Sequence, residues 1–328
     1  MKKRTKKKII KKIKKFFTII LLIGLLLIGT FFIDKKTFNK LTTNIISEIN
    51  KITKKIEQKI SKYKKAQYDE IDLNNDLMVF FLDVGQAESI LIKSNDQYML
   101  IDAGNTNDGE KIVNYFNHLR INEFKYVFGT HAHEDHIGGM DEIIKEFKID
   151  NFYMPKDITT TETYISLLNA LEDKKVAYKT PSVGTRLELG KASIDVLSVK
   201  TKQNDLNDTS IVLKLTYNNI SFLFTGDITQ NVEKELVNKN IKSTVLKVAH
   251  HGSKYSNSAA FLNKVKPEYS IISCGINNEY YHPHKVVLDK LEKLNSKIYR
   301  TDLSGTIVAI SNGEKIEFKT IKTYTDGG

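Results

Sequence analysis

The 328-residue chain has a single cysteine, no tryptophan and only four prolines. Cys274 therefore has no partner within the chain, which excludes a small disulfide-stabilised scaffold. Hydrophobic residues make up 41% of the sequence, too large a share for a chain that is disordered throughout. The length allows one large domain or two small ones, because a single core can grow to about 250 to 300 residues.

Acidic residues are scarce only near the N-terminus. Residues 1–65 contain 20 Lys or Arg and three acids, so that 30 basic and 36 acidic groups remain in residues 66–328 from the totals of 50 and 39. The formal charge of +11 is thus a property of the N-terminal segment. The rest of the chain has no general attraction for polyphosphates, and phosphate binding there requires a local site.

One long hydrophobic run, residues 16–33, predicts a transmembrane anchor, since a helix of this length just crosses a hydrocarbon core of about 30 Å. No small-residue cleavage site follows it, which favours a retained anchor over a cleaved signal peptide. Ten basic residues precede the run within residues 1–15, which predicts a cytoplasmic segment there. We therefore expect a single-pass protein of the cell membrane with the remaining chain outside the cytoplasm.

Residues 34–76 are predicted to form a Lys-rich helical stalk or linker. Apolar side chains recur there at spacings of three and four residues: Ile45, Ile49, Ile52, Ile56, Ile60 and Tyr63. This pattern gives one apolar stripe on a helix, through which two copies of the chain could pair as a homodimer. A helix that lies on anionic headgroups fits the Lys-rich opposite face equally well.

Residues 77–328 alternate short β-branched or aromatic runs with helical patterns. Strands are predicted at residues 78–82, 89–92, 98–101, 126–130, 193–199, 210–217, 220–225, 245–249, 270–273, 297–299 and 306–311. Helices are predicted at residues 109–119, 140–147, 162–173, 230–238, 259–265 and 285–294. No Pro- or Gly-rich break interrupts them, which favours one α/β domain in layers of sheet and helix.

Seven of the eight histidines lie in three clusters, each after a predicted strand or in a loop. The densest cluster is Thr130-His131-Ala132-His133-Glu134-Asp135-His136. Two histidines at i and i+2 of an extended segment face the same way, and Asp135 and His136 are expected to turn into a helix that starts at Gly138. Imidazoles and a carboxylate on one turn suit Zn²⁺ and, as oxygen donors accumulate, Mn²⁺ or Fe²⁺.

Two later strands end in further residues of metal-binding type. Asp227 follows the strand at 220–225, and His250 and His251 follow the strand at 245–249. These side chains could complete the coordination of two cations, which predicts a dinuclear centre that holds two divalent ions, Zn²⁺ or Mn²⁺. The competing interpretation is a polar surface turn with chance histidines.

The HxHxDH motif at residues 131–136, the strand-ending Gly226-Asp227 and the later His251 resemble the metallo-β-lactamase fold. That fold is a four-layer αβ/βα sandwich with its metals at the edge of two sheets. Residues 81–86, 101–104, 247–253 and 281–283 more narrowly resemble the C-terminal domain of the ComEC/Rec2 competence proteins. The resemblance covers roughly residues 78–312 and implies a metal-dependent hydrolase, although this fold hosts many different hydrolases.

Carried over position by position, the resemblance implies His131 and His133 on a first ion, Asp135, His136 and His251 on a second, and Asp227 between them. Further roles are implied for Asp83 and Asp102 in orienting ligands, for His250, Ser253 and Lys254 in contacting the substrate, and for Asp135 and His282 in catalysis. The loop before the strand that leads to Asp227 lacks the third histidine usual in this fold. The first ion could then be weakly bound, completed by Asn207 or Asp208, or absent. A second departure is Ala87-Glu88, where ComEC proteins commonly have Gly-Asp.

The chemistry expected of such a centre is hydrolysis. A bound divalent cation lowers the pKa of its water from 15.7 towards about 7, which gives a hydroxide nucleophile at neutral pH that Asp135 is suited to orient. A protonated His282 could donate to the leaving oxygen. The backbone N–H groups of residues 252–257, with Ser253 and Lys254, could hold a phosphate before the next helix. A simple helix-capping loop explains Ser256 and Asn257 equally well.

The leading hypothesis is a membrane-anchored, metal-dependent phosphodiesterase that acts on DNA or another phosphodiester. DNA follows from the resemblance alone, because the ComEC domain is thought to degrade the non-transported strand during DNA uptake. One span cannot form an import channel, and the charge of −6 beyond residue 65 leaves room for a small phosphodiester. The alternatives are a carboxylic ester, thioester or lactam hydrolase, and a non-catalytic metal-binding module tethered to the membrane.

Overall fold

The computed structural model describes residues 72–321 and, nearer the N-terminus, residues 43–44, 46–48, 50–51 and 53–55, which are helical. The predicted cytoplasmic segment and anchor, residues 1–33, lie outside the described residues, as do the isoleucines and the tyrosine of the predicted stripe. Within the described ranges, no helix combines the length and the hydrophobicity needed to cross a bilayer. Residues 72–321 belong to one compact unit, and residues 43–55 to another.

The first sheet of the larger unit has eight strands. From one edge to the other these are β17 (Ile316–Ile321), β16 (Thr306–Ser311), β1 (Leu77–Phe81), β2 (Ile90–Ser94), β3 (Gln97–Ile101), β5 (Tyr126–Phe128), β7 (Phe152–Tyr153) and β8 (Tyr178–Lys179). Pairing is antiparallel from β17 to β3 and parallel from β3 to β8. Strand β5 therefore lies inside the sheet. The segment that follows β5 begins at the edge of the sheet where the carboxyl ends of the parallel strands lie.

The second sheet has seven strands. Their order is β15 (Lys297–Arg300), β14 (Tyr269–Ile272), β13 (Val245–Lys247), β12 (Ile220–Phe224), β11 (Val212–Tyr217), β10 (Ala192–Ser198) and β9 (Arg186–Leu189). Strands β12 to β15 are parallel, so the carboxyl ends of β12 and β13 meet at the same edge. A separate pair joins β4 (Glu123–Phe124) to β6 (Lys148–Ile149).

The main core lies between the two large sheets. Alternate residues of β1, such as Val79 and Phe81, share one buried cluster with Leu213, Phe222 and Phe224 of the second sheet. The rings of Phe81 and Phe224 lie 6.4 Å apart, centroid to centroid, and join the sheets directly. Period-two alternation places these side chains on one face of each strand, and burial of each contributes about 1.5 to 3 kcal/mol.

Helices cover the outer faces of both sheets. They are α1 (Gly109–His118), α2 (Glu134–Ile137), α3 (Met140–Glu146), α4 (Glu162–Asp173), α5 (Gln230–Leu236), α6 (Ala259–Val265), α7 (Lys285–Lys293) and α8 (Thr301–Ser304). Tyr115 of α1 packs edge-on against Phe80 of the first sheet, while Leu236 and Phe261 of α5 and α6 share a second cluster with Leu223. The result is four layers: helices, sheet, sheet and helices.

The mixed α/β class predicted from the sequence is confirmed, and α4 and α6 begin and end at the predicted residues. Threonine and serine caps explain those starts, because Thr161 accepts a hydrogen bond from Tyr164 N and Ser258 from Phe261 N. The predicted helix start at Gly138 was wrong, since α2 already begins at Glu134. Asp135 and His136 are thus held by a helical turn rather than by a loop.

Candidate metal centre

Three chain segments meet at the shared edge of the two sheets. The segment between β5 and α2 carries the first histidine cluster, Asp227 follows β12, and a 3₁₀ turn at Ala249–Gly252 follows β13. Gly226, before Asp227, has φ +50°, and a Cβ there would lie 2.9 Å from Ser210 Cβ. A glycine therefore lets the aspartate approach the first cluster closely.

Four side chains form a tight donor cluster. One ligand atom from each of Asp135, His136, Asp227 and His251 lies within 4.8 Å of all the others. His251 Nε2 is 3.3 Å from an Asp135 oxygen and 3.4 Å from an Asp227 oxygen, and His136 Nε2 is 3.4 Å from the other Asp227 oxygen. Residues more than 100 positions apart in sequence thus converge on one point.

The cluster fits a divalent cation. His136 Nε2, His251 Nε2 and Asp227 Oδ1 are buried and have no hydrogen-bond partner among the described residues. Buried polar atoms without a partner cost about 1 to 3 kcal/mol each, so such a group is normally satisfied by a ligand or water. Two imidazole nitrogens and two carboxylates are a donor set that suits Zn²⁺, Mn²⁺ or Fe²⁺.

The electrostatics of the cluster favour positive charge. Burial opposes a proton on His251, but Asp227 and Asp135 raise the pKa of His251 to about 9. Burial likewise opposes charge on His136, but Asp227, Asp102 and Asp135 outweigh it and hold the pKa of His136 well above its usual value. The carboxylates therefore attract either protons or a metal cation at this point.

Asp102 lies directly behind His136. Its carboxylate is fully buried and lies 2.7 Å from His136 Nδ1, and it accepts hydrogen bonds from Thr130 N at 2.8 Å and Thr130 Oγ1 at 2.7 Å. With Nδ1 engaged by a carboxylate, His136 directs Nε2 towards the donor cluster. Asp83 is placed differently, since its described contacts go to Gly85, Lys111 and Thr306.

His131 and His133 form a second pair beside the cluster. His131 Nε2 and His133 Nδ1 are 3.0 Å apart, and the rings of His131 and His136 lie 4.1 Å apart. Burial lowers the pKa of His131 well below its usual value, which favours the neutral ring that a metal ligand requires. The structure thus brings all six predicted ligands to one rim of the fold, four of them in the tight cluster.

The turn that carries His250 and His251 has an uncommon backbone. Both residues have positive φ, 51° and 52°, and the side chain of Asn257 binds the turn through Ala249 N and Ala249 O at 3.1 and 2.9 Å. His250 Nε2 lies 3.8 Å from an Asp227 oxygen, and His250 Nδ1 is buried without a hydrogen-bond partner among the described residues. His250 therefore lies directly beside Asp227 of the donor cluster.

His282 lies against the same turn. Its ring stacks on His251 at 6.3 Å between centroids and lies 5.6 Å from the ring of His250. Burial, together with His251 and His250, lowers the pKa of His282 to about 4. Burial and the two neighbouring histidines therefore oppose the protonated form of this ring that the sequence predicts.

Protein groups occupy much of the predicted phosphate site at Ser253 and Lys254. Ser253 is buried, and its hydroxyl accepts a hydrogen bond from Tyr255 N. The backbone N–H groups of Asn257 and Ser258 donate to the carboxylate of Glu233, which already occupies the start of α6. Of the two interpretations that the sequence left open, the structure favours the capping loop, and Lys254 is simply exposed nearby.

Four residues to which the sequence assigned no role lie at or beside the centre. Ser210 Oγ lies 3.4 Å from His131 Nδ1 and accepts a hydrogen bond from Asp227 N at 3.1 Å. Gln86 Nε2 lies 3.4 Å from His282 Nδ1. Lys247 forms a fully buried ion pair with Glu88. The sequence carried a signal for Gln86, Glu88 and Lys247, because they lie in or beside the stretches that resemble competence proteins. No such stretch includes Ser210.

The fold and the donor cluster together are those of a metal-dependent hydrolase. Residues 82–276 match the Metallo-beta-lactamase superfamily, which is more than half of the chain, and the chain belongs to this superfamily. Among solved structures, CmlA, a diiron beta-hydroxylase from Streptomyces venezuelae, has a TM-score of 0.52 at 12% identity. That match covers 72% of this chain and 54% of CmlA, and it shows similarity of fold alone.

The more specific similarity is to competence proteins. The chain is 32% identical over 256 residues to ComE operon protein 3 of Bacillus subtilis and 30% identical over 240 residues to competence protein ComA of Neisseria gonorrhoeae. Recombination protein 2 of Haemophilus influenzae is 28% identical over 247 residues. These matches cover 71–74% of this chain but only 30–33% of the relatives, so the chain spans about a third of their length. The resemblance predicted from the motifs is confirmed.

Proposed function

We propose that this chain is a metal-dependent phosphodiesterase, anchored in the membrane by residues 16–33, that hydrolyses DNA or another phosphodiester. The observation that carries the proposal is the convergence of Asp135, His136, Asp227 and His251 within 4.8 Å, with buried donor atoms that lack a hydrogen-bond partner among the described residues. Similarity to competence proteins supports a phosphodiester over a carboxylic ester. The hydrolase family supports catalysis over a purely structural metal site.

In this proposal Asp135, His136, Asp227 and His251 would hold one divalent ion, and His131 and His133 would help to hold a second. A divalent cation in such a site activates water and polarises an ester oxygen. Asp135, which is partly exposed, orients the attacking water, and Asp102 keeps His136 in its ligating orientation. An open cavity of about 390 Å³, lined in part by Gln86, Asp135 and Tyr280, gives the substrate access to Asp135.

We also propose that Asn207, rather than Asp208, completes the first ion site. Asp208 is already engaged, because its carboxylate accepts hydrogen bonds from Thr229 N at 3.0 Å and from Thr229 Oγ1 at 2.7 Å. Asn207 Oδ1 is buried and has no hydrogen-bond partner in the described part of the chain. Ser210 Oγ donates to Asn207 O at 2.7 Å and lies beside His131, which places this turn against the pair of histidines.

The assignment of Asn207 is tested by metal content. Purified full-length protein is stripped with a chelator, reloaded with Zn²⁺ or Mn²⁺, and analysed for bound metal per chain by mass spectrometry. We expect Asn207→Ala to lose one of two ions or to bind it about 10- to 100-fold more weakly, whereas Asn231→Ala, a nearby control, keeps both. Wild-type metal content in Asn207→Ala contradicts the assignment.

The function is tested by offering different esters to the reloaded enzyme. Bis-p-nitrophenyl phosphate, linear DNA, p-nitrophenyl acetate and a chromogenic β-lactam are compared for wild type and for Asp227→Asn. We expect hydrolysis of the phosphodiesters and a loss of about 100-fold or more in Asp227→Asn, because the ligand shared by both ions is weakened. Asp195→Asn on strand β10, whose carboxylate pairs with Arg186 at 3.7 Å, serves as the matched control.

The comparison also separates the alternatives. Preferential turnover of the acetate or the lactam would identify a carboxylic ester or lactam hydrolase. Absence of turnover with either metal, at full metal occupancy, would identify a non-catalytic metal-binding module. A nuclease should also lose affinity steeply as salt is raised, since phosphate contacts release counterions, whereas hydrolysis of a small ester should not.

A further inference from the structure

Gln86 lies in the loop between β1 and β2 and contacts the loop that carries His282. The amide oxygen of Gln86 accepts a hydrogen bond from Gly275 N at 3.1 Å. The two backbones are closely packed there, because a Cβ on Gly275 would lie 2.6 Å from Gln86 N. A backbone N–H can only donate, so the atom that faces Gly275 must be Oε1.

This contact decides which atom faces His282. With Oε1 held by Gly275, the amide group directs Nε2 towards the imidazole, and Gln86 Nε2 lies 3.4 Å from His282 Nδ1. An amide NH₂ group is a donor without acceptor capacity. His282 Nδ1 must therefore accept, and the single ring proton of the neutral imidazole resides on Nε2.

The backbone of His282 is fixed independently. Asn278 Oδ1 accepts from His282 N at 2.9 Å, and Asn278 Nδ2 donates to His282 O at 2.6 Å and to Gly275 O at 2.9 Å. Gly275 is thus bound both to Gln86 and to Asn278. The imidazole is held on one side by this loop and on the other by its stack on His251.

We propose that Gln86 is a positioning residue that fixes the tautomer of His282, so that the ring presents its N–H donor at Nε2 beside the metal centre. The catalytic consequence rests on the proposed function: a neutral N–H can donate a hydrogen bond to an ester oxygen as negative charge develops there. The tautomer itself does not depend on that function. Gln86 and Asn278, the two residues that hold His282, both line the cavity that opens on Asp135.

The test reads the tautomer directly. Full-length protein in detergent is labelled with ¹⁵N at histidine, loaded with Zn²⁺, and its ring protons and nitrogens are correlated by NMR at a pH where His282 is neutral. The His282 signals are assigned from their loss in His282→Gln. We expect the wild-type ring to carry its proton on Nε2, and a proton on Nδ1 in the wild type overturns the proposal.

The matched variants are two Gln→Glu exchanges. In Gln86→Glu the second carboxylate oxygen replaces the NH₂ donor, and we expect His282 Nδ1 to become protonated because a carboxylate can only accept. In Gln230→Glu, where the amide donates to Lys254 O instead, we expect the wild-type pattern. An unchanged pattern in Gln86→Glu, or the same change in both variants, overturns the proposal.

Kinetics distinguish this inference from the proposed function. For bis-p-nitrophenyl phosphate we expect kcat of Gln86→Glu to fall about 100-fold with little change in KM, because the lost donor acts on developing charge. A wild-type enzyme that hydrolyses no phosphodiester refutes the proposed function, while the NMR pattern still decides the role of Gln86. A changed tautomer with unchanged kcat refutes the catalytic consequence.

Discussion

Among single residues, Glu88 and Lys247 form an ion pair in which neither side chain is exposed. Glu88 follows β1 of the first sheet, and its backbone N donates to Asp135 O at 3.0 Å. Lys247 ends β13 of the second sheet and also donates to Val248 O at 3.0 Å. The pair therefore links the loop that is hydrogen-bonded to Asp135 with the strand that leads to His251.

Removing the charge of one member of this buried pair should destabilise the folded protein. We expect Glu88→Gln or Lys247→Met to lower the free energy of unfolding by about 3 to 5 kcal/mol, because the remaining charge is left buried without compensation. The double variant should lose less than the sum of the two. Urea unfolding of the four proteins measures the coupling, and additive losses contradict it.

The matched control is an exposed ion pair on α7. Lys285 and Asp289 are one helical turn apart and mostly exposed. Asp289→Asn should change the free energy of unfolding by no more than about 0.5 kcal/mol, since exposed pairs are solvated and screened.

Cys274, the single cysteine of the chain, should be inert in the folded protein. Burial and, secondarily, Asp302, which accepts a hydrogen bond from the thiol at 3.3 Å, raise the pKa of Cys274 to about 12. The reactive thiolate is therefore nearly absent at pH 8. We expect no carbamidomethylation of the native chain by iodoacetamide and complete modification in guanidinium, as measured by intact mass. Equal rates in both states would contradict the burial of this thiol.

At the level of elements, the turn at Ala249–Gly252 is stabilised by its neighbours rather than by its own sequence. Its backbone enters the left-handed region at His250, His251 and Gly252, a cost that surrounding contacts must offset. Asn257 binds Ala249 through both amide atoms, and Glu233 of α5 in turn accepts from Asn257 N. The orientation of His251 thus depends on a helix and a loop outside the motif.

Gly252 is required in that turn for space as well as for conformation. A Cβ there would lie 2.5 Å from Pro283 Cβ, whereas Gly184, with nearly the same φ of +88°, has nothing within 4 Å of the same position. Both Gly→Ala exchanges carry the cost of positive φ, but only Gly252→Ala must also displace the loop of His282. We expect its free energy of unfolding to fall by at least about 1 kcal/mol more than that of Gly184→Ala. Equal losses in thermal unfolding would show that Pro283 yields freely.

For the whole molecule, the excess of basic residues and the one long apolar run both lie at the N-terminal end of the chain. The 20 basic residues and the long apolar run belong to residues 1–65, and the domain with the metal centre follows. Membrane attachment therefore remains a prediction from the sequence, as does pairing of two copies through residues 34–76. Each can be tested without reference to catalysis.

Removal of residues 1–33 should release the protein from membranes. We expect the full chain to sediment with the membrane fraction and resist extraction by carbonate, because an apolar helix of about 18 residues inserts effectively irreversibly. A chain that lacks only residues 1–15 should still sediment, which controls for simple charge attraction to lipid. Release of the full chain by high salt would contradict an anchor.

The sequence anticipated most elements with long, clear patterns, but it missed the two-residue strands and also β9 and β17. Helix α4 has twelve residues with a regular apolar face and was placed at its observed limits. Strands β4, β6, β7 and β8 have two residues each, too few to show any periodicity, and they form by pairing with strands that are distant in the sequence. Helix α2 begins after His133 without a side-chain cap, so no local capping signal marks its start.

The sequence by itself determined which side chains could bind a metal, because residue type and spacing within one turn are local properties. It also determined that the chemistry is concentrated at strand ends. Only the tertiary structure decided which of those side chains meet, that Asn207 and not Asp208 has an unsatisfied oxygen, and that Gln86 faces His282. These contacts join residues far apart in the chain, and their distances depend on how two sheets pack and pair, a non-local property that no single segment encodes.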